Sequence, residues 1–280
     1  MKIIADSSST RTEWVLVDGH TIVEHAFTEG LNPYFQSRRE ISHTIRLQLP
    51  EQFFRRRWEH VYFYGAGCAN ESRNKIMESS LVAQFRSPVT VKSDLLGAAR
   101  GLLVRERGMA CILGTGSNSC LYDGHDITEN VKSLGFILGD EGSGAYLGKQ
   151  LVSDCIKGLA PEHVIHRFYE HFATGPDRIM DAVYIDPLPN RALSRYSFFL
   201  QEMLDDAYVY QLVYSSFMSF FMRNVARYDY RDIPICFVGS VACVYSDILR
   251  RAASTIGIEI SKIERSSVPG LVKYHADGDE

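Results

Sequence analysis

Two short polar turns carry the residue types that bind phosphate. The first, Asp6-Ser-Ser-Ser-Thr10, places an acid at the end of an apolar run and follows it with four hydroxyl residues. The second, Gly114-Thr-Gly-Ser-Asn118, follows another apolar run in the second half of the chain. Backbone N–H groups in tight turns and at helix starts hold phosphate. Either turn alone could be an ordinary polar β-turn, but two turns at equivalent places predict a polyphosphate gripped from both sides.

The two commonest phosphate-binding motifs are absent from the sequence. The spacing of Gly142, Gly148 and Lys149 departs from the G-x-x-x-x-G-K-[ST] pattern, because five residues separate the glycines and a glutamine follows the lysine. Gly65-Ala-Gly67 and Gly114-Thr-Gly116 both lack the third glycine of the dinucleotide-binding pattern. The chain is therefore neither a Walker-type nucleotide binder nor a recognisable dehydrogenase.

The elements that position these turns repeat along the chain. Apolar runs and caps predict strands at 2–5, 14–17, 22–27, 61–64 and 89–91, and helices at 34–48, 71–85 and 94–103. The pattern then restarts, with strands at 110–113, 120–122 and 127–131, a helix at 143–157, a helical middle at 161–228, a strand at 235–238, a helix at 242–256 and a strand at 258–263. This repetition predicts a duplicated α/β fold with lobes at 1–110 and 111–280. We expect the stretch from Pro269 to return to the first lobe.

Composition limits the class of protein and its partners. The chain has 280 residues, which is enough for two lobes, and 45% of them are hydrophobic and 23% charged, as in ordinary globular proteins. The net charge of −4 disfavours nucleic acid or an anionic membrane as the main partner. The sequence shows neither a signal peptide nor an apolar run that would span a bilayer, so we expect a cytoplasmic protein. The six cysteines form no C-x-x-C pair and predict buried, reduced thiols.

Five collinear segments carry a family resemblance. They are Asp6-Ser-Ser-Ser-Thr-Arg-Thr-Glu13, Ser93-Asp-Leu-Leu-Gly-Ala-Ala99, Gly114-Thr-Gly-Ser-Asn118, Leu134-Gly-Phe-Ile-Leu-Gly-Asp-Glu-Gly-Ser143 and Val238-Gly-Ser-Val-Ala242. Together they resemble the phosphate, catalytic-aspartate, G-D-E-G-S and adenosine motifs of N-acetylglucosamine kinases and the related BadF/BadG/BcrA-type ATPases. The resemblance implies a duplicated ribonuclease-H-like (actin-like ATPase) fold with two lobes and a nucleotide cleft between them. It also implies that ATP phosphorylates an amino sugar, and members of this superfamily suggest a homodimer.

The resemblance implies a role for individual residues. Asp94 would accept the proton of the attacking sugar hydroxyl, and Asp6 would hold Mg²⁺ through water. The backbone near Ser7, Ser8, Ser9, Thr10, Thr115 and Gly116 would cradle the phosphates of ATP, with Gly239 and Ser240 beside the adenosine. The sugar would contact Asn32, Ser117, Asn118 and Asp140. Asn32 lies in Gly30-Leu-Asn-Pro33, which resembles a sugar-contact loop of the family.

Several interpretations stay open at the level of the sequence. Asp94 could be a helix N-cap, Asp140 a first-turn acid and Asn32 an ordinary cap. Three serines stand in the first turn where many relatives have glycines, and Phe136 stands where many have tryptophan, which removes an N–H donor. We predict phosphorylation of N-acetylglucosamine to its 6-phosphate. The alternatives are an ATPase that drives a partner, as the activators of 2-hydroxyacyl-CoA dehydratases do, and a non-enzymatic sugar or nucleotide sensor.

Overall fold

The first sheet is built from the apolar runs of the N-terminal third. A computed structural model describes residues 1–276. Its first sheet contains strands β1 (Lys2–Ser7), β2 (Arg11–Asp18), β3 (Thr21–Glu29), β4 (Val61–Gly65) and β5 (Val89–Ser93). The first three strands form an antiparallel meander, whereas β4 and β5 run parallel to β1, in the order β3-β2-β1-β4-β5. The carboxyl ends of β1, β4 and β5 therefore meet at one edge of the sheet.

The second sheet repeats this arrangement with different residues. It contains β6 (Gly108–Leu113), β7 (Ser117–Tyr122), β8 (Ile127–Glu129), β9 (Ile235–Val238) and β10 (Lys262–Glu264). Its order is β10-β9-β6-β7-β8. When the strands are numbered from one to five within each half of the chain, both sheets have the order 3-2-1-4-5. The predicted duplication of the α/β fold is confirmed.

The helices begin and end largely where local signals place them. They are α1 (Arg38–Gln48), α2 (Glu71–Phe85), α3 (Asp94–Leu103), α4 (Gly135–Leu138), α5 (Gly144–Lys157), α6 (Glu162–Phe172), α7 (Pro176–Tyr184), α8 (Pro189–Ser197), α9 (Ala207–Arg223), α10 (Ser240–Val244), α11 (Ser246–Thr255) and α12 (Val268–Ala276). Short 3₁₀ helices occupy Glu51–Phe54, Phe198–Met203 and Val225–Arg227. Among the described residues, none of these helices combines the length and hydrophobicity needed to cross a membrane.

Three sequence predictions of elements were wrong in their bounds. The first helix does not start after Pro33, because Ser37 and Glu40 form a capping box that starts it at Arg38. The helix predicted at 242–256 begins earlier, at Ser240, and is interrupted at Tyr245. The last strand begins four residues later than predicted, at Lys262.

Two layers of apolar side chains cover the first sheet. Because side chains alternate along a strand, Ile3 and Ala5 join one buried cluster, which includes Trp14 and Phe63. Ile4 points to the other face, where a second cluster contains Val15, Val17, Tyr62, Tyr64, Val268, Leu271 and Val272. The last helix thus packs on the N-terminal sheet and supplies its second layer.

The described chain forms two compact units. One contains residues 1–110, 120–128 and 266–276, and the other contains residues 111–119 and 129–265. The lobes predicted at 1–110 and 111–280 remain a prediction.

Candidate functional site

Two acids lie at neighbouring strand ends in the first unit. Asp6 is the penultimate residue of β1, and Asp94 directly follows β5. In the parallel register, Ser7 lies beside Gly65 of β4, which lies beside Ser93 of β5. Both acids therefore lie at the same edge of the sheet, with β4 between their strands. This is the edge at which open α/β sheets bind ligands.

The surroundings of these acids shift both pKa values towards neutrality. The pKa of Asp6 is raised to about 7, chiefly by desolvation. A hydrogen bond from Ser267 lowers this pKa, and the nearby charges of Asp94 and Glu13 raise it. Desolvation also raises the pKa of Asp94 to about 6, although the Leu95 N–H donates to its Oδ1 at 2.9 Å. Within residues 1–276, no three His, Cys, Asp or Glu side chains are grouped closely enough to hold a metal ion. Mg²⁺ is commonly held by one or two carboxylates together with substrate phosphates, and Asp6 and Asp94 could supply the carboxylates.

Asp94 is the first residue of α3 rather than its cap. The N-cap is Ser93, whose hydroxyl accepts a hydrogen bond from the Leu96 N–H at 3.2 Å. The interpretation of Asp94 as an N-cap was therefore wrong. Because a neighbouring residue caps the helix, the start of α3 does not depend on the Asp94 carboxylate.

In the first phosphate turn, the side chain of Ser8 holds the local backbone. The Ser8 N–H donates to the carbonyl of Arg11 at 3.0 Å. The N–H groups of Thr10 and Arg11 both donate to the Ser8 hydroxyl, each at 3.3 Å. Ser7 is fully buried, whereas Ser8 and Thr10 are exposed and Ser9 is partly exposed. Of the amides that the resemblance assigns to phosphate, that of Thr10 is thus engaged by a serine hydroxyl and that of Ser8 by a backbone carbonyl.

Asn32 is held beside the same strand edge of the first unit. Its Oδ1 accepts the Tyr34 N–H at 2.9 Å, and its own N–H donates to Gln36 Oε1 at 2.7 Å. Gly67 lies against this side chain, and a Cβ there would lie 2.0 Å from Asn32 Oδ1. Gly67 also has a positive φ of 79°, so two features require glycine at this position. The interpretation of Asn32 as a helix cap was wrong, because Ser37 caps the helix that follows. Asn32 instead stabilises the local turn through the Tyr34 N–H, and Gly67 leaves room for its side chain.

In the second unit, the turn Gly114–Asn118 is clamped by the start of α5. The N–H groups of Gly144 and Ala145 donate to the carbonyls of Gly114 at 2.8 Å and Thr115 at 3.0 Å. Ser143 caps this helix by accepting the Tyr146 N–H. The helix that follows the G-D-E-G-S segment therefore positions the second phosphate turn directly.

Asp140 approaches this turn from the loop before α5. It is buried, has a positive φ of 55°, and accepts a hydrogen bond from the Ser117 N–H at 3.4 Å through Oδ1. A Cβ at Gly116 would lie 3.0 Å from its Oδ2. Because Asp140 precedes the helix and its Ser143 cap, it is not a first-turn acid, and that interpretation was wrong. The next residue, Glu141, pairs with Arg223 at 2.5 Å.

Asn118 is the last residue of the predicted turn, and Phe136 lies in α4. Both residues accept hydrogen bonds. Asn118 Oδ1 accepts hydrogen bonds from the Ser119 N–H at 3.0 Å and from Asn130 Nδ2 at 2.9 Å. The Phe136 carbonyl accepts a hydrogen bond from Lys149 Nζ at 2.8 Å. The side-chain oxygen of Asn118 thus already accepts two hydrogen bonds. The side-chain NH₂ group is the end that can donate to a ligand.

The predicted adenosine motif lies against the second phosphate turn. Gly239 directly follows β9 and has a φ of 129°, and α10 begins at Ser240. A Cβ at Gly239 would lie 2.3 Å from the carbonyl oxygen of Leu113, the residue before the turn. The second unit thus brings together Thr115, Gly116, Ser117, Asn118, Asp140, Gly239 and Ser240. The first unit brings together Asp6, Ser7, Ser8, Ser9, Thr10, Asn32 and Asp94.

Sequence reasoning missed three residues of the first cluster. Glu13 lies opposite Asp6 in the β1–β2 pair, where its charge affects the pKa of Asp6. Ser266 and Ser267 precede α12, and their hydroxyls donate to Glu13 Oε2 at 2.7 Å and to Asp6 Oδ2. The alternation of β2 could have indicated Glu13. No local pattern indicates the two serines, because they lie more than 250 residues from their partners.

Comparison with solved structures identifies the family. The structure of the putative N-acetylglucosamine kinase from Porphyromonas gingivalis has 38% sequence identity to this chain and a TM-score of 0.95, with 99% of each chain covered. The chain belongs to the N-acetylglucosamine kinase family. In the sequence comparisons, by contrast, no protein-family model and no curated protein matches this chain.

Two more distant structures share the fold of this N-acetylglucosamine kinase family member. The protein of the same description from Chromobacterium violaceum has 16% identity and a TM-score of 0.78, with 98% of each chain covered. A ROK family glucokinase from Streptomyces griseus, solved with glucose and AMPPNP, has 12% identity and a TM-score of 0.53, with 99% of this chain and 98% of that chain covered. The predicted family, the actin-like ATPase fold and the class of ATP-dependent sugar kinase are confirmed.

Proposed function

We propose that this sugar kinase transfers the γ-phosphate of ATP to the primary hydroxyl of N-acetylglucosamine and forms the 6-phosphate. The observation that carries the proposal is the pair of acids at one sheet edge, Asp94 with a pKa near 6 and Asp6 with a pKa near 7. A general base is most effective when its pKa lies near the working pH. Asp94 is the proposed base that takes the proton of the attacking hydroxyl.

The phosphate-binding part of the proposal rests on Asp6 and the two turns. Asp6 would hold Mg²⁺ through water, and the ion, when bound, supplies charge neutralisation for the β- and γ-phosphates. The backbone of Ser7–Thr10 and of Thr115 with Gly116 would orient the phosphates. Gly239 and Ser240 would lie beside the adenosine, where Gly239 permits a close backbone approach. Phosphoryl transfer requires mainly positioning and charge stabilisation, and these groups would provide both.

The sugar-binding part rests on two amide donors and one carboxylate. The side-chain carbonyls of Asn32 and Asn118 already accept backbone N–H groups, so both NH₂ ends can donate to sugar oxygens. Asp140 would accept from a sugar hydroxyl, with Ser117 beside it. Donors suit the carbonyl oxygen of an acetamido group as well as hydroxyls. A sugar that left one of these buried groups unpaired would bind less tightly.

The cysteines support a sugar kinase over an ATPase that activates a dehydratase. An iron–sulfur cluster shared between two subunits requires cysteines at the surface where the subunits meet. Five of the six cysteines are buried and Cys243 is partly buried. ATP and one neutral sugar are therefore the proposed partners, while a homodimer and a cytoplasmic location stay predictions.

The test measures ADP release with Mg²⁺ and ATP over a panel of amino sugars and plain hexoses. The wild type should release ADP with N-acetylglucosamine, and Asp94→Asn should lose at least about a hundredfold in rate, as general-base catalysis requires. Because Ser93 caps α3, the variant should fold and still bind a non-hydrolysable ATP analogue by calorimetry. Release independent of sugar would identify a partner-driving ATPase. Binding without turnover on any sugar would identify a sensor, and wild-type turnover in the variant would remove Asp94 from its role.

A further inference from the structure

The proposed phosphate turn and the proposed sugar loop are joined through the side chain of Ser7. Its hydroxyl accepts the Leu31 N–H at 3.0 Å and lies 3.1 Å from the Leu31 carbonyl oxygen. It also forms a hydrogen bond with Thr12 Oγ1 at 2.7 Å. Ser7 is completely buried, and Leu31 directly precedes Asn32. One hydroxyl thus connects the end of β1 to the backbone that carries Asn32.

A second contact joins the same two segments without any side chain. The Gly30 N–H donates to the Thr10 carbonyl at 3.1 Å. A Cβ at Gly30 would lie 2.5 Å from the carbonyl oxygen of Ser8 and 2.7 Å from that of Ser9. The backbone of the loop is therefore packed directly on the backbone of the turn, so neither segment can shift without moving the other.

We propose that Ser7 and Gly30 are positioning residues that couple nucleotide binding to sugar binding. When a phosphate group orders residues 8–10, the Ser7 and Gly30 contacts hold the loop in the conformation that presents Asn32 to the sugar. Linkage requires the effect to be reciprocal, so bound sugar must tighten nucleotide binding by the same factor. This inference rests on the proposed function, because it assumes that the turn binds ATP and the loop binds the sugar.

The test compares the sugar Kd with and without AMPPNP and Mg²⁺ by calorimetry, using N-acetylglucosamine. In the wild type AMPPNP should tighten sugar binding at least about fivefold, the lower end of typical coupling. In Ser7→Ala this ratio should fall by at least half, whatever the change in the affinity for each ligand alone. Ser7→Cys, which keeps a γ atom with a weaker hydrogen-bonding capacity, should give an intermediate ratio and serves if the alanine variant does not fold.

Ser87→Ala is a matched control in the same unit. Ser87 is also a buried serine whose hydroxyl accepts one backbone N–H, from Trp58 at 2.8 Å, and donates to one carbonyl, that of Phe85 at 3.0 Å. It joins no proposed ligand segments, so its variant should keep the wild-type ratio. A wild-type ratio near one, or an unchanged ratio in both Ser7 variants, would overturn the coupling. Failure of the wild type to bind either ligand alone would instead overturn the proposed function.

Discussion

The Ser267 hydroxyl donates a hydrogen bond to Oδ2 of Asp6, the proposed magnesium residue. This bond connects the segment before the last helix to the first strand. It stabilises the charged carboxylate and so lowers the pKa of Asp6, in opposition to desolvation and to the charges of Asp94 and Glu13. The carboxylate that must be ionised to hold a cation therefore depends on a residue 261 positions away.

We expect Ser267→Ala to shift the acid limb of the pH–rate profile upward. Without this hydrogen bond the pKa of Asp6 rises above its present value near 7, so a higher pH is needed to ionise it. A hydrogen bond to a charged group contributes about 1.5–3 kcal/mol, which corresponds to a shift of about one pH unit or more. The measurement is kcat/KM for the sugar from pH 5.5 to 9. Ser266→Ala, which loses a bond to Glu13 instead, is the control, and an equal shift in both variants would contradict the assignment.

We expect Asp6→Asn to stabilise the metal-free protein at alkaline pH. A carboxyl whose folded pKa is raised binds its proton more tightly when folded, so ionisation costs folded stability as pH rises from about 4 to about 7. The free energy of unfolding of the wild type should therefore contain a loss over this window that the variant lacks. Urea titrations at pH 4 and pH 8, without Mg²⁺, measure it. A variant less stable than the wild type at pH 8 would contradict the prediction, because it would show that the ionised Asp6 carboxylate does not destabilise the folded protein.

We expect Ser8→Ala to tighten ATP binding. The Ser8 hydroxyl now accepts the Thr10 and Arg11 N–H groups, and its removal frees them for phosphate. One such hydrogen bond is worth about 0.5–1.5 kcal/mol, so KM for ATP should fall about threefold to tenfold while kcat stays near the wild-type value. Initial rates at saturating sugar measure this effect, with the neighbouring Ser9→Ala as control. A rise in KM for ATP would show instead that the Ser8 hydroxyl itself contacts the nucleotide.

We expect Gly67→Ala to weaken sugar binding selectively. The added Cβ would lie 2.0 Å from Asn32 Oδ1, so the Asn32 side chain must leave its present position. KM for the sugar should rise at least about tenfold, as for the loss of one buried polar partner, while KM for ATP changes little. Gly19→Ala is the matched control, because Gly19 also has a positive φ, 56°, but has no atom near its Cβ position. Equal effects of the two substitutions would attribute the loss to backbone strain.

Local sequence signals predicted those elements whose ends are capped by nearby residues. The helices Glu71–Phe85 and Asp94–Leu103 have the predicted bounds because Asn70 and Ser93 cap them from the adjacent position. The last helix, Val268–Ala276, was not predicted as an element. This helix is stabilised by packing on the N-terminal sheet rather than by a local cap. Its residues Val268, Leu271 and Val272 are buried in one cluster with Tyr62 and Tyr64.

The sequence by itself determined the order of the elements before the last helix, the duplication and the family, because each rests on local periodicity or on short collinear motifs. It also indicated Asp6, as an acid at the end of an apolar run, and Asp94, through the family resemblance alone. Only the tertiary structure decided which groups meet: Ser267 at Asp6, Ser7 at Leu31 and Gly67 at Asn32. These contacts depend on strand register and on the return of the chain to the first sheet. Such long-range pairings leave no periodic trace in the sequence, because Ser267, Ser7 and Gly67 are each an ordinary serine or glycine in their local context.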